Sequence, residues 1–224
     1  NQFKTITCGE GGALLTNDRK LFERALYFHD MGCTFRGHAG TMTEEPFLGH
    51  TLRMNELQCA VLRVQLERLD GILARLRERR DWLLEAVSAE GSAVTISPSA
   101  DLAGDCGNHA TFLFNTAEER ARVAARAKEL NADCALGSPI DSGLHVYTNW
   151  SVLLNKQGVF CDAMNPFRRP ENKACRTTIT PACCARTLAI LARTGAVGIG
   201  LSWTREQCAA VATALCRAAR EARA

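Results

Sequence analysis

The run Asn1-Gln2-Phe3-Lys4-Thr5-Ile6-Thr7-Cys8-Gly9-Glu10-Gly11-Gly12-Ala13-Leu14-Leu15-Thr16 decides how the rest of the chain is read. A lysine heads a short β-branched run, a glycine-rich turn follows, and a second apolar run begins after it. This pattern predicts strand, tight turn, strand, because glycine adopts the positive φ that such a turn needs. Chemically, a lysine between apolar neighbours has its ammonium form disfavoured by desolvation. The free amine is then available as a nucleophile that can form a Schiff base with a carbonyl. On spacing alone Lys4 reads as a surface lysine of a hairpin, since most lysines are exposed.

A second block stands downstream: Phe47-Leu48-Gly49-His50-Thr51-Leu52-Arg53-Met54-Asn55-Glu56-Leu57-Gln58-Cys59-Ala60, then Gln65-Leu66-Glu67-Arg68-Leu69-Asp70. Together the two blocks resemble the DegT/DnrJ/EryC1/StrS family of pyridoxal-phosphate sugar aminotransferases. There the lysine that binds the cofactor is followed by G-E-G-G, and an L-G-x-N-x-R-M-x-E-L-x-x-A … Q-L-x-R-L-D stretch comes later. The resemblance covers residues 4 to 90 well and the remainder more loosely. It implies an α/β fold, the aspartate aminotransferase-like fold type I of pyridoxal-phosphate enzymes. The chain would hold the C-terminal portion of the large domain (1–90, ending in a long linking helix) and a small α/β domain (91–224). The first half of the large domain, with the partner of the pyridine nitrogen, the ring-stacking residue and most phosphate contacts, would lie outside this sequence.

The resemblance also implies chemistry. Lys4 would hold pyridoxal 5'-phosphate and shuttle the proton in transamination of a keto-sugar, nucleotide-linked or a sugar acid, with glutamate or glutamine as donor. Family members that act as dehydratases carry histidine at this position, so a lysine points to transamination. The active site would be shared in a homodimer, with residues 33–50 crossing toward the neighbouring subunit. The segment after them would reach the partner's cofactor through Thr51 and Arg53. Thr51 departs from the family's asparagine; its hydroxyl still donates to a phosphate, with shorter reach. Arg53 reads equally as an anion partner or as a brace for the loop. A catalytically inert member of the fold is the rival reading. A cofactor-free Schiff-base aldolase using Lys4 has no independent support.

At 224 residues, with 46% hydrophobic and 23% charged residues and a net charge of +3, the chain has the composition of an ordinary globular protein. Without a clustered basic stripe that charge gives no case for nucleic acid. No apolar run approaches the roughly 18 residues of a membrane span, and no signal peptide opens the chain, which reads as cytoplasmic. Five lysines stand against 22 arginines. The eleven cysteines form no C-x-x-C pair, so zinc and redox motifs are not indicated. They read as reduced thiols serving as small hydrophobic filler, Cys59 and Cys216 among them. No metal site is expected.

The periodicity predicts a helix over Arg19–Met31, capped by Asn17-Asp18, with Leu21, Phe22, Leu26 and Phe28 as its apolar stripe and Gly32 as its C-terminal cap. His29 reads as a helix-end structural group. From Asn55 an apolar repeat predicts a helix to about Leu69, a break at Asp70-Gly71, and a longer helix to about Glu90. Short strands are expected at Ala93–Ile96 and Cys134–Leu136, and a longer one at Asn108–Asn115 with His109 structural. Helices are expected from Thr116 to about Leu130, over Pro181–Arg193, and from Thr204 to Arg223, with a strand at Ala196–Leu201. The Ser142–Trp150 stretch gathers His145, Tyr147 and Trp150 beside glycine. By resemblance a comparable loop lies at the substrate entrance, so these residues read either as sugar contacts or as rings that pack the loop down. The Cys184–Thr194 stretch resembles part of a family subset in which Arg193 would neutralise a substrate carboxylate; by residue type it reads as a structural ion-pair partner.

Overall fold

The computed structural model describes residues 4–31, 37, 39–142, 145–158, 161–175 and 179–224. Residues 1–3, Gly32, Cys33 and the Gly143-Leu144 pair of the loop, all named above, lie outside the described residues. The chain divides into two compact units, Asn1–Ile72 and Leu73–Ala224.

In the first unit, helix α1 (Arg19–His29) starts where Asp18 accepts a hydrogen bond from the Leu21 amide, and it ends at Asp30, beyond which Met31 takes φ 51°. Its amphipathicity is the reverse of the expectation. Leu21, Phe22 and Phe28 are exposed, whereas Glu23, Tyr27 and the capping Asp30 are buried. The helix turns this way because its polar groups find partners inside, as described below. Residues 4–16 form bends and coil and no strand. A strand is defined by a hydrogen-bonded neighbour, and every named strand of the structure lies in the other unit.

The second long helix, α2 (Glu56–Ala89), is capped by Asn55, whose Oδ1 accepts from the Gln58 amide at 2.9 Å. It runs through Asp70-Gly71 without the expected break, and the boundary between the two units falls inside it, after Ile72. One helical glycine costs about 1 kcal/mol relative to alanine, too little to interrupt a long helix whose later turns, from Ile72 on, are packed. Its core-facing residues include Ile72, Leu76, Leu83 and Val87, while Leu57, Val61 and Val64 near its start are exposed.

The second unit is an antiparallel sheet with helices packed on one face. Strands β1 (Thr95–Ile96), β2 (His109–Leu113), β3 (Leu136–Gly137) and β4 (Thr194–Gly198) lie in the order β1-β2-β4-β3. Ala110 pairs with Val197 and Phe112 with Gly195, so one face carries Ala110, Phe112 and Val197, all buried, and the other carries His109 and Thr111. Helices α3 (Ala117–Leu130) and α7 (Arg205–Arg223) pack on each other, α3 also against β3 and β4, with Val123, Ala127, Val211 and Leu215 inside. Short helices α4 (Pro139–Ser142), α5 (Ser151–Leu154) and α6 (Ala185–Ala192) fill the connections. The caps follow the sequence. Thr116 accepts from the Glu119 amide, and Thr204 and Gln207 form a reciprocal capping box.

The cysteines conform to the filler reading only in part. Cys134, Cys208 and Cys216 are in the core, where burial pushes the Cys134 thiol up to about 12, but Cys59, Cys106, Cys161, Cys175, Cys183 and Cys184 are exposed. A sequence period cannot show which face of an element is covered, and Cys59 falls on a part of α2 that is open. Among the described residues no helix is long and apolar enough to cross a membrane.

Gly71 has no heavy atom within 4 Å of where a Cβ would stand. Gly71→Ala is therefore expected to raise stability by about 1 kcal/mol, seen as a higher urea midpoint with an unchanged slope. A fall in the midpoint would mean that α2 is broken there in solution.

Candidate active site

The turn after Lys4 forms as its glycines require. Gly9 has φ 95° and its amide donates to Thr7 Oγ1 at 3.2 Å. The Glu10 carbonyl accepts from Gln58 Nε2 at 3.1 Å, and a Cβ on Gly11 would come within 3.0 Å of Met54 Sδ. The two sequence blocks, Lys4–Gly12 and Phe47–Asp70, thus meet at the start of α2. Lys4 itself is exposed.

Thr51 and Arg53 are held by a segment that runs back along α1. The Glu23 side chain, fully buried, is its anchor. Glu23 Oε2 accepts from the Thr43 amide at 2.9 Å, the Thr43 hydroxyl at 3.1 Å and the Glu44 amide at 2.8 Å. Oε1 accepts from Arg19 Nε, and the same guanidinium donates to the Thr41 carbonyl at 2.7 Å. Beyond the anchor, Tyr27 donates its hydroxyl to the Glu44 carbonyl at 3.0 Å and meets Phe47 edge-on at 6.0 Å, with Arg24 over the Phe47 ring. Gly49 passes directly over the carbonyls of Tyr27 and Phe28, where any Cβ would collide with both. The His50 amide then donates to Phe28, the Leu52 amide to His29, and Met31 donates back to His50. Thr51 pairs with Asp30 as an isolated antiparallel bridge.

Thr51 is consequently exposed on a backbone that cannot wander. Arg53 Nε lies 3.0 Å from the buried Asp30 carboxylate, and the side chain remains 47% exposed, so it braces the loop while presenting part of its guanidinium to solvent. His29 keeps to the structural part given it, with Nδ1 3.1 Å from the Leu26 carbonyl oxygen. Below these elements the open apolar stripe of α1 forms a cavity of about 730 Å³, lined by Leu14, Leu21, Phe22, Phe28 and Leu52.

In the second unit His145 and Trp150 are exposed, and Tyr147 is half-buried. Tyr147 is tied down: its hydroxyl donates to the Pro181 carbonyl at 2.9 Å and accepts from the Cys184 amide at 3.2 Å, just before α6. Trp150 donates its amide to the Tyr147 carbonyl. Arg193 sits at the opposite end of α6, about 12 Å along eight helical residues, and its guanidinium approaches the Phe114 carbonyl at 3.5 Å. The loop and Arg193 are therefore at different ends of one helix. His109 is exposed and lines a second cavity of about 550 Å³ with Thr111, Ser138 and Ala196.

Glu23, Tyr27 and Asp30 escaped the sequence reading altogether. A helical period marks apolar residues as the buried ones, and here the buried ones are polar. Among the described residues no group of three or more histidine, cysteine, aspartate and glutamate side chains is gathered to hold a metal.

The fold is that of the pyridoxal-phosphate-dependent type I aminotransferases. It matches the crystal structure of 3-amino-5-hydroxybenzoic acid synthase with a TM-score of 0.55 at 21% identity, covering 92% of this chain and 48% of that one. The family model of the DegT/DnrJ/EryC1/StrS aminotransferases matches residues 1–140, and the chain belongs to that family. Among curated relatives it is 36% identical over 78 residues to GDP-perosamine synthase of Escherichia coli O157:H7, covering 35% of this chain and 20% of that protein. It is 37% identical over 94 residues to L-glutamine:scyllo-inosose aminotransferase of Streptomyces griseus, 39% of this chain and 22% of that one. The chain thus spans well under two thirds of each of these proteins.

The donors from Glu44, Arg19 and Thr43 hold the Glu23 carboxyl down to about 2 against an ordinary value of 4.5. Because the folded value is depressed, the anchor's contribution is complete above pH 4.5 and is lost as pH falls from there through about 2. Carboxyl-carbon NMR should find Glu23 titrating near 2; titration at the ordinary value would mean that the anchor is open in solution.

Proposed function

We propose that the protein containing this chain is a cytoplasmic pyridoxal-phosphate-dependent aminotransferase that converts a keto-sugar, nucleotide-linked or a sugar acid, to an amino-sugar. Glutamine or glutamate serves as donor. The observation that carries this reading is the meeting of the Gly9–Gly12 turn with Met54 and Gln58, which joins the lysine block to the second block in one unit. Both blocks fall inside the family match. The names of the two curated relatives, GDP-perosamine synthase and L-glutamine:scyllo-inosose aminotransferase, support the substrate class and the donor.

The groups present suit the cofactor in kind: an exposed primary amine at Lys4, an exposed hydroxyl at Thr51 and a half-exposed guanidinium at Arg53. An amine can join an aldehyde, and a hydroxyl and a guanidinium can bind a phosphate. When bound, pyridoxal phosphate supplies the electron sink for the reaction. Lys4 Nζ would hold the cofactor and, once released by the amino donor, would carry the proton between cofactor and substrate carbons. Thr51 and Arg53 bind the phosphate, in the neighbouring subunit of a homodimer. His145, Tyr147 and Trp150 contact the sugar, and Arg193 meets a carboxylate. Residues 1–90 form the end of the large cofactor-binding domain and 91–224 the small domain.

The rival is a family member that keeps the fold without the chemistry, favoured by the engagement of Arg53 with Asp30. One experiment separates them. The full-length natural protein is incubated with pyridoxal phosphate, reduced with borohydride and mapped by peptide mass. A pyridoxyl group on Lys4, absent from Lys4→Ala, is the expected result. A folded full-length protein without label on Lys4 would establish the inert reading.

A further inference from the structure

The site described so far leaves Glu23 without a part in the chemistry, although it is a fully buried carboxylate on a helix whose apolar side faces solvent. Burying such a charge is unfavourable unless donors replace its water. Here four hydrogen bonds do so, and three of them come from two consecutive residues, Thr43 and Glu44, on the one oxygen Oε2. These are charge-assisted bonds, stronger than neutral ones and demanding in direction. They pin the segment at a single point, from which the contacts Tyr27–Glu44, Tyr27–Phe47 and Phe28–His50 follow in register to Thr51 and Arg53.

We propose that Glu23 is a positioning residue: its carboxylate fixes residues 43–53 on α1 and thereby sets the placement of Thr51 and Arg53 for an anionic ligand. This rests on the phosphate-binding reading of those two residues. Glu23 touches no ligand. It acts through the segment, and Arg19 completes the device by bridging the carboxylate to the Thr41 carbonyl. A slip of one residue at Thr43–Glu44 would move Gly49 off the carbonyls of Tyr27 and Phe28 and put a side chain where none fits.

The test uses the full-length natural protein and Glu23→Gln, which keeps the volume but turns one acceptor into a donor facing the Thr43 and Glu44 amides. Thr43→Val is the milder companion, since it removes one hydroxyl and leaves both amides. Amide hydrogen exchange over 42–53 is expected to speed up about tenfold in Glu23→Gln, the loss of roughly one charge-assisted bond. Exchange in α3 should stay unchanged. In Thr43→Val the acceleration should be smaller and confined to the same peptides. Titration with pyridoxal phosphate is expected to show a dissociation constant raised by a similar factor, while borohydride labelling of Lys4 at saturating cofactor stays as in the wild type. Unchanged exchange over 42–53 in both variants would overturn the anchor. Faster exchange with an unchanged dissociation constant would overturn its role in placing Thr51 and Arg53. If Glu23→Gln fails to fold, Thr43→Val decides by the same two readouts. An unlabelled Lys4 in the wild type would instead defeat the aminotransferase reading and leave the exchange result standing.

Discussion

A carboxylate removed from water must be met by donors, and in the first unit Glu23 imposes that demand. Among its described residues the unit has no named strand to organise it and much of its apolar surface is open, so ordinary burial does little to fix the path of residues 41–53. The buried charge can. Only one arrangement brings the amides of Thr43 and Glu44 and the Thr43 hydroxyl to a single oxygen, and that arrangement determines where Tyr27 finds the Glu44 carbonyl and where Gly49 crosses α1. Such an arrangement gains little net stability compared with an apolar core, but it discriminates sharply among backbone paths, because a missed donor leaves a charge uncompensated.

The second unit is held by different physics. Alternation on β2 and β4 gives it one buried sheet face, and small residues let the layers close: Gly195 lies where a Cβ would strike Leu136. The abundance of arginine acquires a structural meaning here. Buried Arg120 forks onto Asp141 and gives Nε to the Ala192 carbonyl, and buried Arg80 reaches Asp81, Asp105 and the Leu102 carbonyl. A planar guanidinium can join a carboxylate and a carbonyl at once, which a lysine ammonium does with less directional control. Arg220 with Glu90 and Arg223 with Glu119 tie the last helix down in the same way.

Much of the second unit was legible in the sequence because its rules are local. Thr116 and Thr204 announce their helices, and the alternation at 108–115 announces its strand, shifted only at the ends. In the first unit the caps at Asp18 and Asn55 were legible for the same reason, and so was the Gly9 turn. What failed there was anything dependent on partners. Residues 4–16 form no strand, the stripe on α1 faced outward, and Gly71 did not break a helix whose later turns are packed. Of the site residues, Lys4, Thr51 and Arg53 were visible as a pattern. The residues that hold Thr51 and Arg53, namely Glu23, Tyr27 and Asp30, were not, because no period marks a buried glutamate as an anchor.

That division follows from how load is shared. Lys4 and Thr51 are exposed and Arg53 is half-exposed, so their side chains bury little surface and contribute little to keeping the chain folded. The groups that fix the backbone at Thr51 and Arg53 are buried and fully engaged. Separating the two roles leaves the reactive positions chemically unconstrained: an amine, a hydroxyl and part of a guanidinium reach solvent without having to serve as packing. It also means that a change at Thr51 leaves the frame intact, because its pairing with Asp30 is made by the main chain, whereas a change at Arg53 takes a partner from the buried Asp30 carboxylate and a change at Glu23 alters the frame itself.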